Sequence, residues 1–385
     1  MNDHQNPRVY KGVYKAIGLM SGTSLDGVDV ALLETDGKSI VKPGATHYVP
    51  YPPELKDEVR ACFGKTVPDD YTKTAEEKIT LLQAQAVKEF LRNEELQPED
   101  IDVIGFHGQT VTHKPKEGFT WQLGAGAILA HETGINVVDQ FRINDVREGG
   151  EGAPLIPLYH QALARQKSNL FPVVFLNIGG VSNVTWIGES EDDILAFDTG
   201  PGNALMDDFM KQNFEQSYDF AGEKAKTGTA DEALLRKWMT SDYLERSPPK
   251  SLDRGFLPAK GKKINADMNV WDISGVWHLS PEDAMATLSA FTAETIAASR
   301  DHFPALAKAW YVCGGGRHNE FLMTLLSAKM DVSVRSINEL GYDGDSIEAE
   351  GFAYLAVRHL LDLPLSLPTT TGVKTPCKGG TLHKA

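Results

Sequence analysis

Three stretches of this 385-residue chain set small, polar and acidic residues where an apolar strand should end. "SGTSLDGVD" places Gly22, Thr23, Ser24, Leu25, Asp26 and Gly27 between two Val-, Ile- and Leu-rich runs, 13–20 and 28–34, the second opening on Val28 and Asp29. A turn needs only one or two permissive residues. This one offers hydroxyls, backbone N–H groups and two carboxylates, and such donors can hold an anion. Taken alone, the stretch could equally be an ordinary hairpin. "LNIGG", with Gly179 and Gly180, and "VCGGG", with Gly314, Gly315 and Gly316, repeat the pattern. At each, glycine lets the backbone approach a ligand with no side chain in the way. None is a P-loop or a dinucleotide fingerprint, because neither GxxxxGK[ST] nor GxGxxG opening a helix is present.

The elements that must position these turns can be read from periodicity. A helix is expected over 74–93, with Ile79, Leu82, Ala86 and Phe90 on one face. A buried strand, 101–106, runs into a polar loop, and a helix over 125–133 leads to a short strand, 136–138. The segment 142–154 is rich in glycine and charge, which suits a hinge or an active-site loop. Strands resume at "PVVFLNIGG", "VTWIG" and "ILAFDTG"; helices are expected near 281–302, 319–330 and 347–361, followed by an irregular tail. The Pro- and Lys-rich stretch 247–263 reads as a surface loop.

Composition bounds the function. The length predicts two or three domains and a cleft between lobes; 41% hydrophobic and 24% charged residues are globular values. A net charge of -15 without a dense Lys/Arg run argues against nucleic acid. A locally positive pocket could still hold an anionic small molecule. Cys62, Cys313 and Cys377 lie far apart with no metal or disulfide spacing, which fits a reducing compartment. No signal-peptide core and no bilayer-length apolar run are evident, so a soluble cytoplasmic protein without membrane partners is expected, and the sequon at Asn183 carries no meaning.

Three glycine turns spread over two halves resemble the nucleotide clamp of the sugar-kinase, heat-shock-chaperone and actin superfamily. The resemblance narrows with "GLMSGTSLDGVDVAL", "GFHGQTVTHKP", "VVDQFRINDV", "GGEGAPLIPLYHQ", "LNIGGVSNV", "FDTGPGNALMD" and "EAEGFAYLA", in this order. Together they resemble the anhydro-N-acetylmuramic acid kinases over about residues 17–371. That resemblance implies an α/β, two-lobed actin-like ATPase (ribonuclease H-like) fold with an interdomain cleft. The lobes would be 1–140, joined by the tail 363–385, and 141–362. It also implies ATP and Mg²⁺ as cofactors and a homodimer. The reaction would open a 1,6-anhydro sugar ring with water and phosphorylate O6, giving N-acetylmuramic acid 6-phosphate. Met20 and Asn177 stand where the wider superfamily carries magnesium-binding aspartates, so the metal ligands are unassigned.

On this resemblance, Gly22 to Asp29 wraps the ATP phosphates, with Asp26 or Asp29 orienting magnesium water. Gly179 and Gly180 form the second phosphate turn, and Gly314, Gly315 and Gly316 lie under adenosine. Asp198, at the end of the expected strand 194–197, is the candidate base for water attacking the anomeric carbon; helix capping is the alternative. Asp207 and Asp208 are its rivals. Gly200, Gly202 and Asn203 would let their loop approach ligand. His107, Gln109, Arg142 and Asp145 are pocket candidates for hydroxyls, the N-acetyl group and the lactyl carboxylate, and a guanidinium can bind both carboxylate oxygens. Glu350 matches the family's "EG" motif, or else serves its helix dipole. Two other functions compete: a kinase of another anhydro sugar such as levoglucosan, and a non-enzymatic ATP-switched relative of actin or the chaperones.

Overall fold

The computed structural model describes residues 12–254, Leu257, Lys260 and 271–385. The chain opens with three strands, β1 Tyr14–Ser21, β2 Gly27–Thr35 and β3 Val41–Pro50, then helices α1 Pro53–Arg60 and α2 Asp70–Asn93. Next come β4 Val103–Lys114, β5 Phe119–Leu123, α3 Gly126–Thr133, β6 Val137–Asp139, α4 Ile143–Arg147 and α5 Pro157–Lys167. The second half begins β7 Val173–Ile178, β8 Val181–Ile187, β9 Ile194–Pro201, then α6 Ala204–Phe214, α7 Glu232–Trp238 and α8 Asp242–Glu245. It continues through α9 Pro281–Ala298, β10 Ala309–Cys313, α10 Glu320–Lys329, β11 Ser333–Ser336 and α11 Ile347–Leu360. The tail carries α12 Pro368–Thr371 and β12 Thr381–His383.

Two mixed sheets carry one strand layout twice. In the first, the order is β12-β6-β4-β1-β2-β3, with β5 added to β4; in the second it is β11-β10-β7-β8-β9. In each sheet the first strand is central. It pairs antiparallel with its hairpin partner, which pairs antiparallel with a third strand, and two parallel strands follow on the other side. This duplicated ribonuclease H-like layout is the actin-like fold. It also makes the β1–β2 and β7–β8 turns equivalent corners of the two sheets.

The sheets meet across α5 and α11. Tyr159 and Leu163 of α5 share a buried core with Phe352, Tyr354 and Val357 of α11 and with strand residues from both sheets. Although α11 follows the second sheet in sequence, its backbone lies directly on the first. A Cβ at Gly18 of β1 would stand 1.7 Å from the Ala349 carbonyl oxygen, and one at Gly105 of β4 would stand 2.0 Å from that of Phe352. Only glycine permits this approach.

Several local expectations change. Helix α2 starts at Asp70 because Asp69 forms a capping box with Thr72. Strand β4 does not end at Phe106 in a loop; it runs on to Lys114 because β5 pairs with its far half. Strand β9 likewise continues past Phe197 to Pro201, held by β8. Strands β3 and β5 and helices α1 and α5 were not expected from periodicity. The segment 142–154 contains the short helix α4, and the tail is partly regular, with β12 antiparallel to β6. The expected surface loop 247–263 lies partly outside the described residues.

Candidate active site

A cleft of about 700 Å³ opens between the two sheets. The β1–β2 turn supplies Gly22, Thr23, Ser24, Asp26, Gly27 and Asp29 to its wall. Opposite stand Gly179 and Gly180 of the β7–β8 turn, with Gly314 and Gly315 after β10. The two hairpins nearly touch, since a Cβ at Gly180 would lie 3.3 Å from the Thr23 hydroxyl. Gly314 has φ +75°, and a Cβ there would collide with Asn177 Oδ1 at 2.3 Å. The tertiary fold thus brings three turns, far apart in sequence, to one place.

The expected members that do not face the cleft have visible work elsewhere. Leu25 and Val28 are buried in the core below the first turn, and the Leu25 N–H is spent on the Gly22 carbonyl. Gln109, fully buried in β4, accepts from Ser21 Oγ at 2.6 Å and donates to the Gly22 carbonyl at 3.2 Å, so it braces the turn. Gly316 packs on Ile178, Gly200 on Thr295 of α9, and Gly202 on the Gly179 carbonyl. Asp145 accepts from Gly152 N, Thr371 Oγ1 and Ser366 Oγ, tying the tail to segment 142–154. Glu350 is buried against α5, taking hydrogen bonds from Tyr159 Oη and Ser346 Oγ.

On α11 it is Glu348 that reaches the cleft. Two residues along a helix is about 200° around it, so Glu348 and Glu350 point opposite ways. Burial pushes the Glu348 carboxyl up, against the opposing pull of Arg142 and a hydrogen bond from the Asn177 side chain. Asn177 Oδ1 is buried without a partner. Asp29 is pushed up to about 7, first by burial and then by the charges of Glu348, Asp345, Asp343 and Asp26. Asp207 also lines the cleft and is pushed up to about 7 by burial. Asp208 pairs instead with Arg254 at 2.8 Å.

Asp198 lies inside β9, opposite Asn183 of β8, and is 5% exposed. Its Oδ2 accepts from Leu252 N at 2.8 Å. Its own N–H donates to the Lys250 carbonyl, and its carbonyl accepts from Tyr243 Oη at 2.7 Å. Burial pushes its carboxyl up to about 7, while the Leu252 N–H and the Arg142 charge pull the other way. A buried carboxyl with a pKa near 7, facing a cleft, has the chemistry that a general base needs.

Arg142 and His107 form a pair in the floor. The guanidinium donates from Nε and Nη2 to His107 Nε2, at 3.2 and 2.9 Å, and from Nη1 to the Gly152 carbonyl at 2.7 Å. Three of its five N–H bonds are therefore committed to the protein. Burial and the Arg142 charge hold His107 well below the usual imidazole range, so it is neutral and can accept. Asn203 lines the cleft and also fastens the second turn, donating from N to the Gly179 carbonyl at 2.8 Å. Glu348, Asn177, Asn183, His113 and Tyr48 are wall residues that the sequence reading left out as site members. Helical periodicity around Glu350 was the one signal that could have exposed Glu348.

A duplicated ribonuclease H-like fold with hairpin turns facing each other across a cleft, and a buried carboxylate beside it, defines a protein of actin-like architecture. The family model for anhydro-N-acetylmuramic acid kinase matches residues 14–385. The anhydro-N-acetylmuramic acid kinase of Zymomonas mobilis is 45% identical over 381 residues, covering 96% of this chain and 99% of the relative. Those of Rhizorhabdus wittichii and Agrobacterium fabrum are each 44% identical, covering 96% and 97% of this chain and 98% and 99% of theirs. The chain belongs to the anhydro-N-acetylmuramic acid kinase family.

Proposed function

We propose that this protein uses ATP and water to convert anhydro-N-acetylmuramic acid to N-acetylmuramic acid 6-phosphate and ADP, a step in peptidoglycan recycling. The observation that carries the reading is Asp198, a buried carboxyl pushed up to about 7 that lines the same cleft as the glycine turns. Water adds its oxygen to the anomeric carbon and gives a proton to Asp198. The C1–O6 bond breaks, and the electron pair left on O6 attacks the γ-phosphorus as the bond to ADP cleaves. Gly22 to Gly27 and Gly179 to Gly180 would receive the phosphates. Gly314 to Gly315 would pass beneath adenosine.

Magnesium fits the chemistry of this donor set. Among the described residues no group of three or more His, Cys, Asp or Glu is arranged to hold a metal directly. Mg²⁺ keeps several waters and often takes only one or two carboxylates. The carboxyls of Asp29 and Glu348, both pushed up by burial, and the orphaned Asn177 Oδ1 are the groups that would hold its waters. When bound, the ion supplies charge neutralisation to the phosphates.

Arg142, His107 and Asn203 would read the sugar, with the remaining Arg142 N–H groups for the lactyl carboxylate. Asp145, Gln109 and Glu350 support the site from behind the wall. The working form would be a cytoplasmic homodimer whose lobes, 1–140 with the tail and 141–362, close about segment 142–154. The test is turnover of purified protein with Mg²⁺-ATP and each sugar in turn. ADP release with anhydro-N-acetylmuramic acid and not with levoglucosan is expected. Equal turnover of both would overturn the substrate assignment, and none with either would overturn the reaction.

A further inference from the structure

Glu151 stands behind the cleft wall, yet it touches the segments that aim two of the cleft's charged groups. Its Oε2 accepts from Ser251 N at 3.2 Å and Ser251 Oγ at 2.8 Å, and its Oε1 pairs with the Arg246 guanidinium. Its main chain is anchored on two further elements. The N–H donates to the Thr371 carbonyl at 2.6 Å, and the carbonyl faces His113 Nε2 at 2.9 Å. Burial pushes His113 down to about 3, so the ring is neutral, and its Nε2 carries the proton it donates here. One residue on, the Gly152 carbonyl holds Arg142. One residue beyond Ser251, the Leu252 N–H holds the Asp198 carboxylate.

We propose that Glu151 is a positioning residue for Asp198, clasping segment 246–252 so that the Leu252 N–H stays aimed at the carboxylate. The inference rests on the reading of Asp198 as the base. A carboxylate suits this place because all three facing groups, the Ser251 N–H, the Ser251 hydroxyl and the Arg246 guanidinium, are donors. A glutamine would turn its own N–H toward one of them. The side chain is 14% exposed, so these contacts form largely out of water and are worth more than surface pairs.

The electrostatic consequence has a definite sign. The groups facing Asp198 are the Leu252 N–H, the Arg142 guanidinium and, at its backbone carbonyl, the Tyr243 hydroxyl. The Lys250 ammonium is turned away, onto the Tyr243 and Leu244 carbonyls. The Leu252 N–H stabilises the charged carboxylate, so losing its aim makes Asp198 hold its proton to higher pH.

The experiment compares wild type, Glu151→Ala, Arg246→Gln, Ser251→Ala and Asp198→Asn as full chains, measuring kcat, both KM values and pH profiles with Mg²⁺-ATP and the anhydro sugar. For Glu151→Ala, the rate at pH 7 should fall about fivefold, as expected when a carboxyl with a pKa of about 7 moves up by about one unit. The KM for ATP should change less than about twofold. The acidic limb of kcat/KM for the sugar should move up by about one pH unit, so that the deficit shrinks in alkaline buffer. A simple loss of folded protein would scale the rate without moving the limb. Should Glu151→Ala not fold, Arg246→Gln removes the positive charge and Ser251→Ala the hydroxyl facing the same carboxylate, and both must move the limb in the same direction. An unmoved limb in the folded variants, with Asp198→Asn inactive, overturns the clasp alone. An active Asp198→Asn overturns the base assignment and the clasp with it.

Discussion

The proton that Asp198 must accept sets two expectations at the scale of the residue. Asp198→Asn is nearly isosteric, so the Leu252 N–H can still meet an oxygen, but an amide has no lone pair basic enough to take a proton from water. General-base help is worth about 10²–10⁴-fold, and turnover should fall by at least that while ATP affinity measured by calorimetry is retained. Because burial pushes the carboxyl up to about 7, the base form is lost as pH falls through neutrality. The kcat/KM for the sugar should therefore drop on an acidic limb with an apparent pKa near 7. Asp207 is pushed up to about 7 as well, so the measurement is repeated on Asp207→Asn. A limb that is present in wild type and vanishes in Asp207→Asn would belong to Asp207 and not to Asp198.

Among the elements, α11 is the one whose placement depends most on glycine. It lies on β1 and β4 so closely that Gly18 and Gly105 leave no room for a methyl group, and it carries Glu348 to the cleft and Glu350 to α5. Gly18→Ala would set a Cβ 1.7 Å from a backbone oxygen, which cannot swing aside as a side chain can. Overpacking of this kind costs about 1–3 kcal/mol. The denaturant midpoint should fall accordingly, and part of the activity should go with it as Glu348 shifts. An unchanged midpoint would mean that α11 does not sit where it is described.

For the whole molecule, two expectations concern motion and assembly. Kinases of this architecture complete their sites by closing on ligand, and the cleft here lies between two sheets that meet across the α5–α11 layer and are linked in sequence through segment 142–154. Small-angle scattering should show a smaller radius of gyration with a non-hydrolysable ATP analogue plus sugar than without ligand. Superimposable profiles would refute the closure. Sedimentation should give a dimer at working concentration, and a monomer across the range would remove that claim.

What the sequence determined by itself is local chemistry. Residue type, glycine spacing and motif order marked the three turns, Asp198 and the family. The two-lobed actin-like fold was implied by the family resemblance that those motifs carry, not by the turns themselves. Element ends were less legible: β4 and β9 extend past His107 and Asp198 only because β5 and β8 pair with them, and strand pairing is a contact between distant segments. The direction of a buried carboxylate was not legible either. Asp145, Glu350 and Gln109 are acidic or polar residues in the right motifs, yet they are buried against Thr371, Tyr159 and Ser21 rather than turned to the cleft. Glu348 and Asp207 face the cleft instead. Tertiary structure decided this, since which neighbour satisfies a buried polar group depends on what the fold packs beside it. The same holds for charge: Asp29 and Asp198 differ from ordinary surface carboxylates only through burial and the groups gathered around them, and neither exists until the two sheets come together.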